Sequence, residues 1–154
     1  MINLNLVSPE IFLSLSILFL LLVGVFKKNS PNVVYFFSIC LLIITTVIIF
    51  NDPFDKKIYL FNQSYIVDYL SSYMKMITLL CGIFVLSIST KYLKLSKIFL
   101  IEYPILILCS ILGMMVMISS NDLIVFYIGL ELQSLALYVL TSFNRDQLKS
   151  SEAG

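Results

Sequence analysis

The sequence predicts an all-α membrane protein of five transmembrane helices. Three observations carry that reading. The 154 residues are 60% hydrophobic and only 12% charged, about half the charge of a soluble domain. The apolar residues gather into five runs, each close to the roughly 20 helical residues that cross a bilayer. The basic residues alternate between the segments joining those runs. Lys27, Lys28, Lys91, Lys94, Lys97, Arg145 and Lys149 fall on one side, while the other has Lys56 and Lys57 beside Asp52, Asp55 and Asp122. The positive-inside rule then puts the N-terminus outside and the C-terminus inside.

The first helix is expected over 9–26. Ser8 is a candidate N-cap, Pro9 suits the first helical position, and Glu10 complements the helix dipole. The second is expected over 32–50, announced by Ser30-Pro31. The polar segment 51–64 follows, in which Ile58 to Phe61 either pair as a short strand or lie on the surface. The third helix is expected over 65–90, longer than a crossing requires and therefore tilted or extended past the interface. The fourth is expected over 98–118 and the fifth over 122–143, with Ser120-Asn121 as its cap. A single membrane domain, 1–154, results, and 144–154 form an inner-side tail leading toward a sixth helix.

Composition excludes several functions. Net charge is +1 and histidine is absent, so no nucleic-acid footprint and no usual metal or haem ligand is present. Cys40, Cys81 and Cys109 each lie within an apolar run without ligand spacing and read as small apolar filler. There is no Gly-rich phosphate loop and no nucleophile–base pair, so no cofactor is expected on this chain. Tryptophan is absent too; Tyr35, Tyr59, Tyr65, Tyr92 and Tyr103 are expected to form the interfacial belt. The segment 1–7 has neither the basic cluster of a secretory signal nor the arginines of a transit peptide, which fits a protein made inside an organelle.

The informative residues are the charges inside the apolar runs. Glu131 is the only charged residue between Leu123 and Leu140. A carboxylate at mid-membrane costs about 2.5–3.5 kcal/mol on insertion scales and persists with a partner or a role. Tyr127, Glu131, Ser134 and Tyr138 recur at helical spacing, making one polar stripe. The carboxylate either clips helix five to a neighbour or handles protons. Burial disfavours its charge and a nearby cation favours it, so its charge state follows the partner's position. In helix three, Asp68, Ser71, Ser72 and Lys75 also share a face. Lys75 is either a lysine reaching for the interface or a buried member of a polar path, and the second reading is preferred. Glu102 opens helix four near the inner interface, where a dipole role and a conduction role are equally open. Gly113, with Ser110 and Met114, offers a small-residue surface for close helix packing.

The segment 102–154 contains Glu102-Tyr103, Leu112-Gly113-Met114, Asn121-Asp122-Leu123, Gly129-Leu130-Glu131-Leu132, Leu137-Tyr138-Val139-Leu140, and finally Ser150, Glu152, Ala153 and Gly154. It closely resembles the subunit 2 family of respiratory complex I, NADH:ubiquinone oxidoreductase, among its antiporter-like membrane subunits. Val67-Asp68 with Tyr73-Met74-Lys75, and Ser8-Pro9-Glu10, extend the resemblance upstream. The resemblance implies a membrane-arm subunit that contributes to proton translocation coupled to NADH oxidation by ubiquinone. It maps the family's fifth-helix glutamate onto Glu131 and its third-helix lysine onto Lys75. NADH, FMN, iron–sulfur clusters and ubiquinone are expected elsewhere in the complex. Family subunits have about fourteen helices, so a split or truncated subunit is expected, with a C-terminal fragment, other membrane-arm subunits and membrane lipids as partners. The mitochondrial inner membrane is the expected location, with a bacterial plasma membrane as the alternative. A purely structural or assembly subunit, and a related cation/proton antiporter, are the competing readings.

Overall fold

A computed structural model of the protein describes residues 4–26, 31–51, 57–95 and 101–142. The expected loop cations Lys27, Lys28, Lys56 and Lys97, and the inner-side tail 144–154, lie outside the described residues. A 3-10 turn, Leu4–Val7, leads into α1, Ser8–Phe26, and α2 covers Pro31–Asn51. The strands β1, Ile58–Leu60, and β2, Tyr65–Val67, form an antiparallel hairpin. Then come α3, Tyr69–Leu95, α4, Glu102–Ile118, and α5, Leu123–Thr141. Three of these helices, α2, α3 and α5, are long and apolar enough to cross a membrane; Ser8–Gly24 and Glu102–Ile118 are shorter apolar helices.

The third helix begins at Tyr69 and not at Tyr65, because β2 intervenes. Tyr65, Ile66 and Val67 are aromatic or β-branched, and they alternate buried, half-buried, buried along the strand. Asp68 then stops the strand and caps the helix. Its carboxylate accepts the Ser71 N–H at 2.8 Å, while the Ser71 hydroxyl accepts the Asp68 N–H at 2.9 Å. This reciprocal pair is a capping box, so two members of the expected polar stripe satisfy helix-end donors. Helix five is capped by Asp122, one residue later than expected, through a 3.4 Å bond from the Ile124 N–H.

The hairpin covers one end of the bundle. Its buried residues Leu60, Tyr65 and Val67 pack on Leu6 and Val7 before α1. The junction between α4 and α5 runs along β2. There the Ile66 N–H donates to the Ser119 carbonyl at 2.8 Å and the Asn121 N–H to the Ser64 carbonyl at 3.0 Å. The Asn121 side-chain amide adds a bond to the Gln63 carbonyl at 2.6 Å. The tight turn sets Phe61, Asn62 and Gln63 at φ 50°, 59° and 72°. Left-handed backbone costs non-glycine residues roughly 1–2 kcal/mol each, and strand pairing with the Asn121 bonds holds it. Gln63→Gly is therefore expected to stabilise the fold by up to about 1 kcal/mol, read as a rise in thermal unfolding temperature; an unchanged or lower value contradicts it.

Between the ends, Leu13, Leu20, Leu42, Leu79, Leu86, Leu108, Ile111 and Met115 form a fully buried core of α1 to α4. The helix α5 packs chiefly on α4. Two glycines allow that contact: a Cβ on Gly113 would lie 2.7 Å from the Gly129 carbonyl oxygen, and one on Gly129 would lie 2.9 Å from the Gly113 carbonyl oxygen. The rest of α5 is uncovered, with Leu123, Ile124, Tyr127, Ile128, Leu135 and Tyr138 all more than half exposed. The tyrosine belt is only partly as expected. Tyr59 and Tyr92 are exposed, whereas Tyr35 and Tyr65 are buried. Tyr35 stacks on Tyr103 with ring centroids 6.4 Å apart and planes 15° from parallel, because these two rings face each other between α2 and α4.

Candidate functional site

Two ionisable positions emerge, one beneath the hairpin and one on α5. Lys75 lies six residues into α3, about 9 Å along the axis from Tyr69 at 1.5 Å per residue. Despite that shallow depth it does not reach for water: it is 2% exposed. Its Nζ lies 2.6 Å from Glu10 Oε1, donates to the Tyr65 hydroxyl at 3.1 Å, and sits 5.2 Å from the centre of the Tyr65 ring. The expected polar path on helix three thus turns inward onto α1.

Glu10 was expected to serve the α1 dipole, and it occupies the first turn as foreseen. Its carboxylate instead points into the bundle, 6% exposed, and neutralises Lys75. Neither carboxylate oxygen has hydrogen-bond geometry to any partner among the described residues. Ser119 is fully buried at the end of α4. Glu10 and Ser119 both approach the Tyr65 hydroxyl without forming a well-aligned bond. Burial, and then the Glu10 charge beside it, push the Tyr65 phenol well above its ordinary value of 10.0. A raised folded-state value contributes stability that is fully present below the unfolded value and is lost only as pH climbs past it. Tyr65 therefore stays protonated throughout the physiological range.

Glu131 lies eight residues into α5, about 12 Å from Leu123 and so near the helix midpoint. It is half-buried, and among the described residues no cation forms an ion pair with it. The Ser134 hydroxyl bonds to the Glu131 backbone carbonyl at 3.0 Å, serving the helix and not the carboxylate. Tyr127 and Tyr138 are 62% and 58% exposed, so the stripe lies on the side of α5 that α4 does not cover. Glu102 is exposed in the first turn of α4. Asp68 is engaged in its cap. The sites at Lys75 and Glu131 are thus not brought together by side-chain contact. They share the α4–α5 junction, whose Ser119 carbonyl and Asn121 hold β2 and whose next residue caps α5. No group of three or more Cys, Asp or Glu suited to a metal occurs among the described residues.

The sequence has counterparts among known proteins. The NADH:quinone oxidoreductase/Mrp antiporter transmembrane family matches residues 120–154, the stretch that carries Glu131. NADH-quinone oxidoreductase subunit N of Pelagibacter ubique is 72% identical over 152 residues, covering 99% of this chain and 32% of the relative. The chain belongs to the NADH-quinone oxidoreductase subunit N family. The subunit N of Bartonella bacilliformis is 44% identical over 99% of the chain and 31% of its own length. That of Rhodospirillum rubrum is 43% identical over 95% of the chain and 30% of its own length. The chain therefore spans about a third of the length of the curated relatives it matches. Those relatives are bacterial, and none of these matches supports the expected mitochondrial setting. The missed residue in the sequence reading was Glu10. The signal was charge balance: a lysine inside an apolar helix needs an anion, and Glu10 is the one acid in 1–51.

Proposed function

We propose that this chain works as part of a proton-translocating NADH:quinone oxidoreductase of the bacterial plasma membrane, with Glu131 as a proton-pathway carboxylate and Lys75 as a second ionisable member. The observation that carries this reading is Glu131 itself: a half-buried acid at mid-helix, without a cation among the described residues, inside the segment matching the antiporter family. Keeping such a group costs insertion energy. A carboxylate whose neutraliser lies on another element can change charge state as that element moves. All five helices cross the bilayer in this reading, with the hairpin end outside.

The uncovered face of α5 packs on further helices of the same subunit, carried by the same polypeptide or by a separate C-terminal chain, and supplies Glu131 with its cation. Other membrane-arm subunits and lipids cover the remainder. Electron transfer takes place elsewhere in the assembly.

The test is Glu131→Gln in the assembled complex. Protons moved per NADH oxidised should fall in sealed membrane vesicles while the subunit remains in place. Unchanged translocation removes the proposed role. Loss of the subunit together with translocation, in proportion, assigns Glu131 to bracing the membrane arm.

A further inference from the structure

We propose that Glu10 exchanges protons with Lys75, so that the buried pair beneath the hairpin is a proton-transfer site in its own right, separate from Glu131. This rests on the proton-translocation reading above and adds its second acid.

The pair is enclosed on every side. Glu10 comes from α1, Lys75 from α3, Tyr65 from β2 and Ser119 from the end of α4, and all four are at least nine-tenths buried. Among the described residues no other acid or base forms an ion pair with either member. The stretches 31–51 and 103–118, which include α2 and nearly all of α4, contain no Asp, Glu, Lys or Arg. Asp68, on the same face of α3, is occupied by its cap, and Asp122 is exposed at the start of α5.

The pair is also under-satisfied. The Lys75 ammonium has three donors, and the described residues offer it one carboxylate oxygen and one phenol. Among the described residues, Glu10 Oε2 and Ser119 Oγ have no partner in well-aligned hydrogen-bond geometry, although buried polar atoms in this condition are rare and call for a reason. A buried ion pair that serves stability alone is expected to be fully hydrogen-bonded, since otherwise its desolvation outweighs its attraction.

The chemistry balances within the pair. A proton passing from Lys75 Nζ to Glu10 Oε1 breaks one N–H bond and forms one O–H bond. The ammonium becomes an amine and the carboxylate a carboxylic acid, with zero net charge before and after. A site of that kind changes protonation without burying a net charge. The Tyr65 hydroxyl, which stays protonated, holds Nζ in place in the charged form.

The experiment uses the full-length subunit in the assembled complex, in sealed membrane vesicles, and follows protons moved per NADH oxidised across a pH series. Glu10→Gln should lose translocation relative to NADH oxidation. Glu10→Asp keeps the pair and should retain translocation with a displaced pH profile. The double variant Glu10→Met with Lys75→Met replaces the pair by apolar side chains, an exchange that leaves many proteins folded; it should restore the subunit's abundance without restoring translocation. Glu10→Gln or the double variant translocating as the parent does, or Glu10→Asp following the parental pH profile, overturns the proposal and leaves the pair a structural clip. Glu131→Gln is measured in parallel. Translocation lost there and retained in Glu10→Gln sinks this inference alone, and translocation retained in both sinks the reading beneath it.

Discussion

Lys75→Met is expected to destabilise the subunit by about 3–5 kcal/mol, the range for stripping one partner from a buried ion pair. Methionine fills most of the lysine volume, so cavity formation adds little. The cost arises at Glu10, whose carboxylate stays buried against Tyr65 and the start of α3 without a neutralising charge. The Tyr65 hydroxyl also loses the 3.1 Å bond from Nζ. The measurement is the thermal stability of the solubilised complex together with the amount of the subunit retained in it. Replacing Glu10 by Met as well removes the unpaired charge, so the deficit should shrink in the double variant. A variant as stable as the parent at neutral pH shows that the pair is not enclosed as described. A deficit that is the same in the double variant assigns the loss to packing.

That prediction depends on a contact between residues 10 and 75, which no local pattern announces. Glu10 had a sufficient explanation nearby, the dipole of its own helix, and that explanation concealed the distant one. Lys75 carried the better clue, since its apolar surroundings demanded an anion from another segment. Apolar runs outlined the helices, because that signal is local. The start of α3 was displaced from Tyr65 to Tyr69 because Tyr65, Ile66 and Val67 are as apolar as helix one or two. Their β-branched and aromatic character, followed by an Asp three residues before a Ser, was the readable sign of a strand meeting a capped helix. Polar spacing alone placed Asp68 beside Lys75 in a path. The capping geometry takes it out of that path, since a side chain bonded to helix-end N–H groups has a complete local role. The stripe on α5 was legible as a stripe, but its direction was not: which side faces α4 is decided by the two glycines, and only the packed pair reveals that.

Gly129→Val is the second large effect, and it links packing to the Glu131 site. Even the Cβ of alanine at 129 would lie 2.9 Å from the Gly113 carbonyl oxygen, the Met117 nitrogen and the Met117 Cγ. Two of those three are backbone atoms, so no rotamer change relieves the clash. The helices must separate, and overpacking of this kind costs about 1–3 kcal/mol or more. Valine adds two methyls to the same space. Close backbone approach is the main attraction between apolar helices in lipid, so its loss is not recovered elsewhere. Gly24 supplies the control: among the described residues the added Cβ would meet the Ile101 Cγ2 atom, at 2.8 Å, and Ile101 is a side chain that can turn. Gly24→Ala should therefore leave thermal stability near the parent, while Gly129→Val lowers it and reduces the subunit's abundance. Glu131 follows Gly129 by two residues, so the displacement of α5 also shifts the carboxylate, and translocation should fall by more than the loss of subunit accounts for. Equal tolerance of the two substitutions refutes the close crossing of α4 and α5. A stability loss with translocation per remaining subunit unchanged separates that crossing from the Glu131 site.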